Sequence, residues 1–203
     1  TRHYVLGLEA VLPNGEIIQT GGKYVKVSTG YDLTQLLVGS EGTLAVVTKV
    51  ILKLLPLPKA TATLFVPFKN LNAGIRVVPT ILKSWVAPAT IEFLEKLGLN
   101  AMENYTGKKV PISERVRDEA EAFLIIVIEG KSSEEALKDS EFVSDICIKH
   151  GAIDVFVPPT EKAGRELVEL REKAFYAARE AGATDLVDVV VPRCEIPNFV
   201  EQM

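Results

Sequence analysis

Gly39-Ser40-Glu41-Gly42-Thr43-Leu44, which follows Gly30-Tyr31-Asp32-Leu33 and Leu37-Val38, is the stretch on which the reading of this chain turns. Glycines at 39 and 42 permit positive φ and remove the Cβ atoms that would keep a ligand away from the backbone. Successive amides in such a turn form an anion-friendly concavity. On spacing alone the run is an ordinary turn between a short helix, capped by Asp32 and running through Val38, and a strand. The flanking sequence has to decide, because short motifs gain weight only from context.

Upstream, Val5 to Leu12 is β-rich and ends at Pro13-Asn14-Gly15, a tight-turn signal. Glu16 to Thr20 returns as the second strand of a hairpin, closed by Gly21-Gly22. Downstream, Leu44 to Leu54 has the mixed apolar and polar character of a long or bent strand. Pro56-Leu57-Pro58 stops it and marks a domain boundary. Beyond it the pattern changes. Ala62 to Pro67, Ala89 to Leu94, Phe123 to Glu129 and Ala152 to Val157 read as strands. Leu71, Ile75, Val78 and Leu82 share a helix face that Pro79 should kink or break. Glu95 to Pro111 reads as a helix and then a loop. Ser133, with Glu134 and Glu135, opens a helix to Gly151, and Thr160 caps another to about Gly182. Asp185 to Val191 is the last expected strand, and Pro197 to Met203 an apparent helix. From 61 to 157 the order strand, helix, strand, strand, helix, strand predicts a ferredoxin-like split β-α-β arrangement.

Composition narrows the function. The 203 residues are 47% hydrophobic and 25% charged, with a net charge of −4. That is a globular composition, and the acidic balance argues against nucleic acid or an anionic membrane as partner. No apolar run approaches the roughly 18–20 residues of a membrane-spanning helix. Cys147 and Cys194 are too few for a disulfide framework or a metal site, which predicts reduced thiols and a cytoplasmic protein. Cys147 shares a helix face with Ala136 and Val143 and reads as a core thiol. The chain opens in strand-like sequence without an initiator Met and stops inside an apparent helix, so the expectation is a fragment, inactive by itself.

Thr1 to Tyr4 with Val5 to Gly15, then Lys26, Gly30-Tyr31-Asp32-Leu33 and Leu37 to Leu44, resemble the end of the FAD-binding domain of the vanillyl-alcohol oxidase/p-cresol methylhydroxylase superfamily. Val191-Pro192-Arg193 and the helix bearing Arg171 resemble the substrate domain of its glycolate oxidase and D-lactate dehydrogenase branch. The resemblance implies an α+β chain. Residues 1–58 would be the C-terminal part of a PCMH-type FAD-binding domain. Residues 59–203 would be a ferredoxin-like, antiparallel-sheet substrate domain, incomplete at its C-terminus. It implies FAD as cofactor, with Glu41, Gly42, Thr43, Leu44, Ala45, Val46 and Val47 contacting the flavin. Ala45 departs from the family's usual glycine, and its methyl would narrow the space beside the cofactor.

The implied reaction is hydride transfer from C2 of a small 2-hydroxyacid to flavin N5. The implied partners are that substrate, an iron–sulfur electron-acceptor subunit such as some members use, and a second copy of the chain in a homo-oligomer. Arg171 is expected to hold the substrate carboxylate. Its helix neighbours Leu167, Val168, Ala174 and Phe175 are apolar, so a buried guanidinium there would need an anionic partner. The bland reading is an arginine that snorkels to water or pairs with a nearby acid such as Glu169 or Glu172. Arg193, at the end of the expected last strand, is the second substrate-binding candidate. Leu186-Val187-Asp188 lacks the lysine that some relatives use for a second carboxylate, which favours a monocarboxylate such as glycolate or lactate. The family's Gly-His-x-Gly-Asp-Gly-Asn-x-His stretch is not in the chain. Two other readings stand beside this one. One is a ferredoxin-like regulatory or oligomerisation module without redox activity. The other is a relative acting on an alkyl-glycerone-phosphate or an aromatic alcohol.

Overall fold

The computed structural model describes residues 2–24, 26–185 and 187–202. The chain forms two compact units, 1–57 and 58–203. In the first, β1 (Val5–Val11) is the central strand of an antiparallel sheet of order β2-β1-β3, with β2 at Ile17–Gly21 and β3 at Val46–Leu52. The β1–β2 hairpin closes through Leu12 and Glu16, whose amide donates to Asn14 Oδ1 (3.0 Å), with Gly15 at φ +84°. Helix α1 (Leu33–Leu37) begins at Asp32, whose carboxylate accepts the Gln35 amide. Val5, Leu8, Ala10, Leu37 and Ala45 make the small core of this unit.

The second unit is built on β4 (Ala60–Phe68), β5 (Thr90–Glu95) and β6 (Ala122–Gly130), antiparallel in the order β4-β6-β5. Residues 152–156 lie along the free edge of β4. Phe65 and Phe156 exchange both backbone hydrogen bonds (2.8 and 2.9 Å), and Ile153 N–H donates to Pro67 O. Only bridges form there, not a full strand, but the spatial order is that of the ferredoxin-like fold. Strand β6 is apolar at nearly every position because both faces of the sheet are covered. On one face Leu64, Val66, Phe68, Leu124 and Ile126 pack with residues of α2 (Leu71–Lys83) and α5 (Ser133–Lys149). On the other, Phe65 and Phe123 stack at 5.1 Å beneath residues of α3 (Lys96–Thr106), α6 (Glu161–Glu172) and α7 (Ala174–Glu180). Short α4 (Glu114–Glu119) lies in the α3–β6 connection, and α8 (Ile196–Gln202) ends the described chain.

Several expectations are corrected. Helix α2 runs unbroken through Pro79, since Ile75, Val77 and Ile81 bury both halves. The helix expected from Thr160 to Gly182 divides at Lys173 into α6 and α7, and α4 is an addition to the expected loop. Ser132, not Ser133, caps α5: its hydroxyl accepts the Glu135 amide while the Glu135 carboxylate accepts the Lys131 amide. Asp185 to Val191 is not a strand among the described residues: Val187 and Val190 are exposed, and no neighbouring backbone pairs with them. A strand is held by its ladder, so β-prone residues alone do not make one. Thr1, Leu186 and Met203, which entered the sequence reading, lie outside the described residues.

Candidate functional site

The 39–42 turn is built from left-handed backbone. Gly39, Glu41 and Gly42 have φ of +86°, +51° and +78°. Glu41 is the one non-glycine residue with positive φ among those described, a conformation that costs about 1–2 kcal/mol and persists only where its surroundings impose it. Ser40 N–H donates to Leu37 O, and Ser40 O accepts from both the amide (3.0 Å) and the hydroxyl (2.6 Å) of Thr43. Among the described residues no acceptor takes the N–H of Glu41 or Gly42. A Cβ on Gly42 would meet nothing within 4 Å, whereas one on Gly39 would sit 2.9 Å from Arg2 Nη2. The first glycine thus makes room for Arg2, which donates to Gln35 O, and the second keeps an open face.

Glu41, Gly42, Ala45, Val46 and Val47 line one open depression of about 520 Å³ together with Val5, Leu8 and Val50. Thr43 and Leu44 are not part of its lining: Thr43 is spent on the turn, and Leu44 is exposed. Ala45 is almost fully buried in the core of the unit, with Leu8 and Leu37, so its methyl serves packing as well as lining. Val46 and Val47 are exposed despite being apolar. Free amides beside an exposed apolar wall fit a group that presents acceptor atoms at the edge of a flat ring system, as a flavin does.

In the second unit Arg171 Nη2 lies 2.8 Å from Glu92 Oε2, with both side chains partly exposed. The partner is neither Glu169 nor Glu172. It sits 79 positions earlier in the chain by subtraction (171 − 92), on edge strand β5, where no local sequence signal could find it. Arg193 opens a short 3₁₀ turn, 193–195, and is exposed. It lines a separate cavity of about 390 Å³ with Ile75, Pro79, Ile91, Phe93 and Ile196. Ile91 and Phe93 face the α2 side of the sheet, so Glu92, between them, faces the other. The two arginines therefore lie against opposite faces of one edge strand and do not converge. Cys147 is fully buried, and burial pushes its thiol up to about 12; Cys194 is exposed. His150 ends α5, its ring bonded to Ile146 O at 2.8 Å and to Thr80 Oγ1 at 3.4 Å. No described helix is long and apolar enough to cross a membrane.

Residues 57–203 match the family model described as FAD linked oxidases, C-terminal domain. Over 202 residues the chain is 43% identical to the glycolate oxidase subunit GlcD of Bacillus subtilis, covering 99% of this chain and 42% of that protein. It is 37% identical over 202 residues to a D-lactate dehydrogenase of Anaerostipes hadrus, covering 98% and 42%. The chain thus spans about two fifths of the length of these curated relatives. A solved structure of alkyldihydroxyacetonephosphate synthase superposes with a TM-score of 0.65 at 17% identity, over 98% of this chain and 40% of that one, which extends the likeness to the fold. FAD is the cofactor named by the family model. The chain belongs to the FAD-linked oxidase family.

Proposed function

We propose that this chain is part of an FAD-dependent dehydrogenase or oxidase of small 2-hydroxyacids such as glycolate or D-lactate. The observation that carries the reading is the 39–42 turn, where two uncommitted amides and an open glycine face adjoin exposed Val46 and Val47. In this reading the first unit is an edge of the flavin-binding domain, with Glu41 to Val47 as its contact segment. The second is the substrate domain. When bound, the flavin supplies the two-electron acceptor that receives hydride from substrate C2 at N5. What the chain's own residues contribute is orientation. Arg171 is the better anchor for the substrate carboxylate, because it is partly exposed and, among the described residues, its one charge-assisted contact leaves most of its five N–H donors open. Arg193 is the second candidate, serving the opposite face of β5. The relative named as a glycolate oxidase subunit supports a multi-subunit enzyme; an iron–sulfur acceptor subunit and a cytoplasmic location are part of the same proposal.

The test is to express the complete reading frame that contains this chain, record its visible flavin absorbance, and assay dye reduction with glycolate and D-lactate. A yellow protein that reduces the dye with either acid is expected. A colourless protein that cannot be loaded with FAD, or a flavoprotein inert to both acids, would overturn the reading.

A further inference from the structure

We infer that Glu92 is a positioning residue that orients Arg171 and also sets the preference for substrates with a single carboxylate. The inference rests on the proposal that Arg171 anchors the substrate carboxylate. Its own basis is the 2.8 Å contact between Arg171 Nη2 and Glu92 Oε2. The two partners differ in how firmly their backbones are held. Glu92 stands in register opposite Ile125 of the central strand β6, so its Cα is fixed by the sheet ladder. Arg171 lies in the last turn of α6, two residues before the break at Lys173. A long, rotamer-rich side chain at a helix end is thereby held by a short, strand-mounted carboxylate. This lowers the entropy that Arg171 would lose on gripping a ligand.

The charge of Glu92 has a second consequence. Arg171 and Glu92 together are close to neutral. One incoming carboxylate can use the remaining guanidinium donors, but a second carboxylate on the same small molecule would approach Glu92 with like charge. The alternation that turns Ile91 and Phe93 toward α2 puts Glu92 between Thr90 and Leu94 on the other face, whereas Arg193 lines the α2 side. Both side chains are partly exposed, so solvent and salt reduce the penalty, to about tenfold in relative kcat/KM.

The experiment compares wild type with Glu92→Gln, Glu92→Asp and Arg171→Met in the full-length enzyme. It measures kcat/KM for D-lactate against a dicarboxylate such as D-malate at low and high ionic strength. Glu92→Gln keeps the shape and an acceptor for Arg171 while removing the charge. Because a neutral amide holds Arg171 less firmly, it should lower kcat/KM for D-lactate about threefold, mainly through KM, and raise the dicarboxylate-to-monocarboxylate ratio about tenfold, less at high salt. Glu92→Asp keeps the charge and should keep the wild-type ratio. A merely structural Glu92 would depress both substrates together and leave the ratio unchanged, which overturns the inference. If Arg171→Met leaves KM for D-lactate unchanged, the anchor reading itself is wrong and the inference falls with it. If that KM rises but Glu92→Gln does not move the ratio, only the role of Glu92 is wrong.

Discussion

Glu103 and Arg117 form a largely buried clamp. Glu103 Oε2 accepts from Arg117 Nη1 at 2.7 Å, Glu103 Oε1 accepts the Val110 amide at 2.7 Å, and Arg117 Nη2 donates to Val110 O at 2.8 Å. One pair of side chains thus fastens α3, the loop after it and α4. Taking either partner away strands a charge with little access to water. Arg117→Ala should lower the unfolding free energy by about 3–5 kcal/mol, measured as a fall in the urea midpoint. A Glu103→Leu/Arg117→Leu double variant should be more stable than either single one, because apolar packing removes the desolvation cost of both ions.

Gly164 sets how closely α6 approaches β4. A Cβ there would lie 2.6 Å from Thr63 Oγ1 and 3.0 Å from Thr63 Cβ. Helix propensity favours alanine over glycine by about 1 kcal/mol, yet the clash acts on a strand residue that cannot easily withdraw. Gly164→Ala should therefore destabilise by about 1–2 kcal/mol net. Adding Thr63→Ala should recover part of the loss in the same thermal melt.

Cys147 gives the fold a defined weakness in alkali. Its thiol moves from an ordinary 9.0 to about 12 through burial alone. Above pH 9 the unfolded chain loses that proton while the folded chain keeps it, so the native state binds more protons and stability falls as pH rises. The slope is about 1.4 kcal/mol per pH unit between 9 and 12, with the contribution fully present below 9. In Cys147→Ala, unfolding free energy measured across that window should lose this component of its slope. At pH 8 a thiol reagent should modify exposed Cys194 and spare Cys147 in native protein.

Gly42 is the position at which folding and the proposed cofactor contact can be measured separately. Its φ of +78° costs a non-glycine residue about 1–2 kcal/mol, but among the described residues no neighbour lies within 4 Å of an added Cβ. In the full-length protein Gly42→Ala should melt within a few degrees of wild type and still lose much of its flavin absorbance per polypeptide. An unchanged flavin content would place the cofactor away from this face of the turn.

The elements were legible where local sequence controls them. Asp32 and Thr160 cap the helices their positions predicted, and Asn14-Gly15 closes the first hairpin. The run through Ile125 to Ile128 is the central strand, and its successive apolar positions suit a strand covered on both faces. The family was legible too, because Gly39 to Leu44 is a contiguous motif whose backbone demands are written in its glycines. Tertiary structure decided what depends on distant neighbours. Asp185 to Val191 has strand-like residues but finds no described ladder, and Lys173 divides a helix whose apolar spacing looked continuous. Above all, the pairing of Arg171 with Glu92, and the separation of Arg193 onto the other face of β5, follow from sheet order and strand alternation. A guanidinium's partner is chosen by the strand that folding brings beside it, and no periodicity within α6 carries that information.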